Sequence, residues 1–257
     1  MSIQNIDRAV YHLRQAHAVI ILTGAGISKE SGIPTYREPQ TGIWAKYNPQ
    51  ELSTPEGFTQ NPKLVWDWHE HLRQSMVTAE PNPGHRAITE LQRLLPNVGV
   101  ITQNIDGLHQ RADTTGVIEL HGNIHKYKCS RNCRGNPTRM MLDLIHKYSP
   151  EGIPVCSYCG AYIRHDIVWF HESLNHEVIS RAWALVDDAD VLISIGTSGI
   201  VWPAAGLPLR AKESNHAYLI DVNPGFSELS GQADLHLAAP AGEALPALVQ
   251  ALREAQS

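Results

Sequence analysis

Four cysteines, all that the chain contains, fall as Cys129-x3-Cys133 and Cys156-x2-Cys159, with a polar, basic loop of about twenty residues between the pairs. Each short pair closes a knuckle that presents two thiolates, and two knuckles surround one ion tetrahedrally. The pattern forces two separate segments to meet at a single point. Four thiolates leave no open coordination position, so the ion they imply is structural; zinc suits this ligand set ahead of cobalt or iron, because no cluster motif accompanies it. Two disulfides are the alternative. The N-terminus, MSIQNIDRAVYHLRQAH, is polar and lacks the hydrophobic core of a secretory signal, which favours a reducing compartment and metal ligation. Just before the first pair, the apolar run Val117-Ile-Glu-Leu120 ends in a histidine, His121.

With 257 residues, 42% hydrophobic and 18% charged, the chain suits one large globular domain, or a domain carrying an inserted module. The net charge of −5 and the absence of a Lys/Arg block argue against nucleic-acid binding as its main business. The longest apolar runs, such as Ala18 to Leu22 and Val191 to Ile193, have strand length and are too short to cross a bilayer. A soluble, cytoplasmic, monomeric protein with no membrane or nucleic-acid partner is expected.

Taken in order, Ile3, Ile6, Val10 and Leu13 recur at helical spacing and predict an amphipathic helix. Ala18-Val-Ile-Ile-Leu22 reads as a buried parallel strand, followed by Thr23-Gly-Ala-Gly-Ile-Ser28. Strand, Gly-rich turn and helix start together suit the approach of backbone amides to a diphosphate. The dinucleotide fingerprint is incomplete, with Lys29 where its third glycine would fall. Residues 30–44 read as a long loop whose Ile33, Tyr36, Ile43 and Trp44 favour folding over a ligand. Ser53 to Met76 is helical in pieces, with Ser53-Thr-Pro-Glu56 as a capping box. Further strands are expected at Val98–Thr102, Val117–Leu120, Asp190–Ile195 and Ala217–Asp221, with helices around residues 87–95, 176–189 and 244–252. The alternation predicts an α/β fold, a doubly wound, mainly parallel, Rossmann-like sheet with a small inserted zinc-binding module. The sheet part would span about 1–122 and 166–257 and the module about 123–165, with helices of the small lobe from about 36–80.

The strand ends present GAGIS, QNID, HG, GTS and VNP along one sheet edge, where open α/β sheets place their ligand contacts. Together with the cysteine pairs, in this order and spacing, the set resembles the sirtuin family of NAD-dependent protein-lysine deacylases across nearly the whole chain. The resemblance implies that Gly24, Ala25, Gly26 and Ser28 cradle the NAD diphosphate with Arg37 nearby, and that Gly196, Thr197 and Ser198 add phosphate and ribose contacts. Asn223 and Pro224 would meet the adenosine end. Ile33, Gln103, Asn104, Ile105 and Asp106 would line the nicotinamide and its ribose, and Tyr36 would shield the reactive C1′. Asn104 and Asp106 would also serve catalysis, Asp106 by accepting from the carboxamide. His121 would be the general base, and Cys129, Cys133, Cys156 and Cys159 would hold the zinc. In this chemistry NAD is consumed: the acyl oxygen captures C1′ as nicotinamide leaves, and the ribose 2′-OH must then lose a proton, a task suited to a neutral imidazole at pH 7.

The partners implied are acyl-lysine proteins or peptides. Ile167-Val-Trp-Phe-His-Glu172 resembles the family's peptide-pairing strand, so that Val168, Trp169 and Phe170 would flank the acyl-lysine; core packing is the alternative for Trp169 and Phe170. Some positions depart from the pattern. Thr35-Tyr36 stands where Asp-Phe is common, matching at Thr35 the desuccinylase and bacterial branch, while His165 and His171 stand where proline and glycine are usual. The desuccinylase branch binds an acyl carboxylate with a Tyr-x-x-Arg pair, whose places are taken here by His69 and Leu72. Leu72 carries no charge, and Arg73 lies about 100° further round the helix. A preference for neutral acyl groups, acetyl or longer apolar ones, over succinyl is expected. The competing activity on the same scaffold is ADP-ribosyl transfer to protein, or NAD hydrolysis.

Overall fold

The computed structural model describes residues 2–34, 48 and 52–256. Helix α1 (Ile3–Gln15) starts at Ser2, whose hydroxyl accepts the Asn5 amide, and it buries Ile6, Ala9, Val10 and Leu13. Ile3, expected on that face, is 81% exposed in the first turn. The packed stripe begins one turn later and is completed by Ala9.

The chain then runs through β1 (Val19–Thr23), a short 3-10 segment over Ala25–Ser31, α2 (Pro55–Gln60), α3 (Pro62–Thr78), α4 (Pro83–Leu94), β2 (Val98–Thr102), α5 (Leu108–Arg111) and β3 (Ile118–Glu119). It continues with β4 (Gly122–Cys129), β5 (Arg139–Met140), β6 (Ile163–Ile167), α6 (His176–Asp187), β7 (Val191–Ile195), α7 (Leu207–Asn215), β8 (Tyr218–Val222), β9 (Leu235–Leu237) and α8 (Ala241–Gln256).

Among the described residues the main sheet has six strands in the order β3-β2-β1-β7-β8-β9, every pair parallel. Winding proceeds outward from β1 in one direction and from β7 in the other, so the topological switch point lies between them. Thr23 pairs in register with Thr102 and with Ile195, which aligns the strand ends along one edge.

Burial on both faces explains the unbroken apolar strands. Val19 and Ile21 join the core under α1, α4 and α8, whereas Ile20 and Leu22 join the core under α6 and α7. Each such fully buried Ile, Leu or Val side chain stabilises the fold by about 2 kcal/mol relative to exposure. Strand β9 was not anticipated: Leu-His-Leu is too short to show a period.

Between β3 and α6 a second, antiparallel sheet, β5-β4-β6, spans Gly122–Ile167. Its Ile124 and Ile167 share a third core with Phe58, Val65 and Trp68 of α2 and α3. The α2 cap differs from the expected capping box. Thr54, one residue after Ser53, is the N-cap and its hydroxyl accepts the Gly57 amide, because Pro55 then falls in the first turn where its missing N–H costs nothing.

Candidate active site

The turns after β1 and β7 interlock at the switch point. Gly24 N–H donates to Ile195 O (2.9 Å) and Gly26 N–H to Gly196 O (2.8 Å). A Cβ on Gly26 would lie 2.6 Å from the Gly196 Cα, and one on Gly196, at φ +59°, would lie 2.5 Å from Ile27 N. The glycines are therefore required by backbone meeting backbone, and two of their amides are already committed. Ala25 is exposed beside them, and a cavity of about 310 Å³ opens between Gly26, Lys29 and Gly196 on one side and Val222, Pro224 and Pro240 on the other. Thr197 is anchored across the gap: its hydroxyl accepts from Gln103 Nε2 (3.0 Å) and its carbonyl from Asn223 Nδ2 (2.9 Å). Ser198 follows it, half-buried.

The loop after β2 is equally fixed. Asn104 Nδ2 donates to Gly24 O and to Ser28 Oγ (both 3.1 Å), and Ser28 donates to Asp106 Oδ2 (2.8 Å). Asp106 also accepts the Leu108 amide and is 3% exposed. Burial raises its pKa, against the hydrogen bonds from Leu108 and Ser28 that favour the carboxylate. Ile33 and the half-buried Ile105 belong to the core shared with α2 and α3. Beneath the loop lies support that the residue patterns did not single out. Thr23 donates to Thr102 Oγ1 (2.8 Å), which accepts the Asn104 amide (3.0 Å), and His109 Nε2 meets Thr23 (2.9 Å). His125 Nε2 reaches the Asp106 carbonyl (2.9 Å). The visible signal was a threonine closing each of two apolar strands, VIILT and VGVIT.

His121 sits between β3 and β4, its Nδ1–H donating to Gln103 O at 2.8 Å. That bond assigns the proton to Nδ1 and leaves Nε2 with a lone pair. Burial lowers the imidazole pKa against this same hydrogen bond, so the ring is neutral at pH 7. The next residue, Gly122, is at φ +79°, and a Cβ there would lie 2.1 Å from Asp166 O. The backbone that aims His121 tolerates no side chain at that position.

The residues expected at the acyl pocket are distributed unevenly. His69 is 1% exposed; its Nδ1–H donates to Val65 O (2.8 Å) and its Nε2 accepts from Trp169 Nε1 (3.3 Å). Burial, reinforced by His165, lowers its pKa to about 3. Trp169 is 4% exposed, packed on Phe58 and under the Arg164 guanidinium. These two rings meet each other and not an open pocket. Leu72 is half-buried against the same core, whereas Phe170 is exposed. The stretch expected to extend as a strand leaves strand geometry after Ile167, because its amides are used internally: Val168 N–H donates to His121 O, Trp169 N–H to Glu172 and Phe170 N–H to Ser53 O. Arg73 is bound to Glu70 through Nε and Nη2, at 2.9–3.1 Å. Burial works to raise the Glu70 pKa, but hydrogen bonds from His165 and Arg73 prevail and hold it at about 2. Tyr36 and Arg37 lie outside the described residues. The exposed run Ile200, Val201 and Trp202, just past the GTS turn, is a further apolar feature that the motifs did not flag.

The four cysteines converge. Their Sγ atoms all lie within 4.8 Å of one another, with Cys129 and Cys159 at 3.6 Å and Cys133 and Cys156 at 3.8 Å. Four sulfurs about 2.3 Å from one zinc are separated by about 3.8 Å, whereas a disulfide needs about 2.05 Å. The donor set fits a structural zinc and not two disulfides.

The description "Sir2 family" matches residues 24–203, and the chain belongs to that family. It is 47% identical over 236 residues to the NAD-dependent protein deacylase of Aquifex aeolicus (strain VF5), covering 92% of this chain and 95% of that protein. The same description applies to a Methylococcus capsulatus protein, 41% identical over 255 residues, 97% of this chain and 98% of the relative. A Sir2 homologue solved as its NAD complex superposes with a TM-score of 0.87 at 38% identity, covering 98% of this chain and 95% of the other. A complex of Sir2 with a p53 peptide and NAD superposes at 0.82, with 32% identity and coverage of 98% and 99%. Among the described residues no helix is long and apolar enough to cross a membrane.

Proposed function

We propose that the protein is an NAD-dependent protein-lysine deacylase that prefers neutral acyl groups. The observation that carries this reading is the His121 imidazole, held neutral by burial and fixed by Gln103 O with Nε2 bare, beside the interlocked turns of the switch point. Gly24, Ala25, Gly26 and Ser28, with Gly196, Thr197 and Ser198, hold the diphosphate; Asn223 and Pro224 meet the adenosine end. Ile33, Gln103, Asn104, Ile105 and Asp106 hold the nicotinamide riboside, with Tyr36 shielding C1′ and Arg37 assigned to the diphosphate.

NAD would be consumed as a substrate together with acyl-lysine and water, its ribose C1′ losing nicotinamide as it gains the acyl oxygen, to give nicotinamide, free lysine and O-acyl-ADP-ribose. His121 Nε2 takes the proton of the ribose 2′-OH. Asp106, tied to Ser28, positions the carboxamide with its remaining acceptor capacity. The small sheet of residues 123–165, held by zinc on Cys129, Cys133, Cys156 and Cys159, keeps β4 and β6 in place beside His121. The peptide lies along Val168 and Phe170, and it docks through their carbonyl groups because their amides are occupied. Trp169 and His69, buried against each other, would back the acyl site from the core without lining it.

Neutral acyl preference rests on charge. Leu72 is apolar, His69 is neutral, and the Arg73 guanidinium is spent on Glu70. Among the described residues of this pocket, a succinyl carboxylate would be desolvated with neither Leu72 nor Arg73 supplying a cation to meet it.

The test is mass spectrometry of lysine peptides bearing acetyl, butyryl, longer fatty and succinyl groups, with and without NAD. NAD-dependent loss of the neutral acyls, O-acyl-ADP-ribose appearing in step and succinyl turnover at least about tenfold slower, is expected. ADP-ribose on protein, or free in solution, without acyl loss would establish the transferase or hydrolase reading instead.

A further inference from the structure

Strands β4 and β6 have a second face, away from α2 and α3. His165 of β6 and Tyr127 of β4 both reach Glu70 of α3. By the two-residue period of a strand, Arg164 and Asp166, and Lys126 and Lys128, point the other way. There they line a cavity of about 480 Å³ between the small sheet and α6, roofed by Asn175 Nδ2 donating to Asn136 O (2.7 Å). The cavity shares no residue with the NAD-binding set proposed above.

Its charge is opposite in sign to the chain's. Five cations line it, Lys126, Lys128, Arg139, Arg164 and Arg181, against three carboxylates, Glu119, Asp166 and Glu172, which leaves two positive charges in a protein of net charge −5. Two carboxylates are fully engaged: Glu119 holds Lys126 at 2.6 Å, and Glu172 holds both Arg164 and the Trp169 amide. Asp166 is shared loosely, 3.4 Å from Lys128 and 3.6 Å from Arg139. Arg181 has no carboxylate partner among the described residues. The key group is Lys128, whose side chain is 7% exposed. Its ammonium has three donors, one spent on Ile167 O (3.2 Å) and one turned toward Asp166, which leaves one for a ligand. A nearly buried ammonium that is only partly neutralised is costly, and an anion in the cavity would complete it.

We propose that this cavity binds a phosphate group, free or carried by a small organic molecule. Two surplus charges match a phosphate dianion, and Asn123, Asn132 and Asn175, whose Nδ2 groups each have one donor committed to Glu119, Asn136 Oδ1 and Asn136 O, keep a second N–H to offer. The volume falls in the range of small-molecule sites and exceeds what one oxyanion fills, and Val117, Pro137 and Val178 give the remainder an apolar wall, which favours the organic form.

The test is calorimetric titration of the zinc-loaded protein, saturated with NAD so that the diphosphate site is occupied, using inorganic phosphate and ribose 5-phosphate as probes. Ribose 5-phosphate is expected to bind more tightly than inorganic phosphate. Lys128→Met should weaken both at least about tenfold and Arg181→Gln, on the exposed face of α6, several-fold, with NAD affinity unchanged. Equal binding of the two probes through the same residues would support a site for free phosphate. No binding by the wild type, or binding indifferent to both variants, would overturn the proposal; Arg181→Gln decides the matter if Lys128→Met does not fold.

Discussion

The Nδ1–H of His121 donates to the main-chain oxygen of Gln103, 2.8 Å away, so the histidine between β3 and β4 is oriented by the residue after β2. The same loop carries Asn104 and Asp106, so the base and the cofactor contacts proposed above share one hydrogen-bonded loop. Because burial lowers the imidazole pKa, the active neutral form persists to lower pH than for a free histidine. The acid limb of kcat/KM for deacylation is therefore expected below about 6.5, the ordinary histidine value. An acid limb above that value would contradict this assignment.

Buried imidazoles make stability pH-dependent: His69, His85 and His109, joined by His121 and His165, which burial also lowers. Burial lowers His69 and His85 to about 3 and His109 to about 4, with His165 reinforcing the shift at His69 and His109 that at His85. The unfolded chain takes up these protons near 6.5, whereas the native chain resists them. Native stability is thus full above about pH 6.5 and falls as pH drops from there toward 4, by about 1.4 kcal/mol per pH unit for each histidine. Urea midpoints at about pH 7 and about pH 5.5 measure this slope. His69→Gln should reduce it; equal midpoints at the two pH values would contradict it.

Two glycines with positive φ should behave in opposite ways. Gly196→Ala places a methyl 2.5 Å from Ile27 N, so it must separate the β1 and β7 turns and should abolish NAD binding along with several kcal/mol of stability. Gly32, at φ +80° with nothing within 4 Å, should lose only about 1 kcal/mol on change to alanine and retain NAD affinity. Thermal melting and NAD titration of the two variants make the comparison. Similar behaviour of the two would show that the interlocked turns are not decisive.

Much of this was legible in the residues. Continuous apolar runs at Ile20 and Ile193 marked strands buried on both faces, and the polar groups that follow them marked the edge where the candidate site is proposed. The cysteine spacing anticipated four convergent sulfurs. Features set by neighbours were harder to see. Whether His69 faces an acyl chain or the Trp169 indole depends on a partner a hundred residues away in sequence, and the occupation of the Val168 and Phe170 amides depends on His121 and Ser53. The double-faced pairing of β4, with Tyr127 toward α3 and Lys128 away from it, follows from sheet register that no local pattern reveals.

Metal removal should dismantle the small sheet first. One zinc per chain is expected by elemental analysis. Chelation under reducing conditions, or Cys156→Ser, should lower Tm by at least about 5 °C and abolish deacylation, since β4 and β6 carry the backbone that meets His121 and Val168. Full activity without metal would contradict a structural zinc.

The acyl preference has a gain-of-function test. Leu72→Arg introduces a guanidinium that Glu70 does not already hold, and should raise desuccinylation at least about tenfold relative to deacetylation. An unchanged ratio would place the acyl chain elsewhere.

The central claim is that His121 acts as a base on bound NAD and not as a part of its binding site. The most direct measurement is NAD affinity and deacetylation rate side by side for the wild type and His121→Ala. The variant is expected to keep NAD affinity within about threefold of wild type and to deacetylate more slowly by about 10²–10⁴. Deacetylation persisting at a comparable rate, or NAD binding lost together with activity, would contradict it.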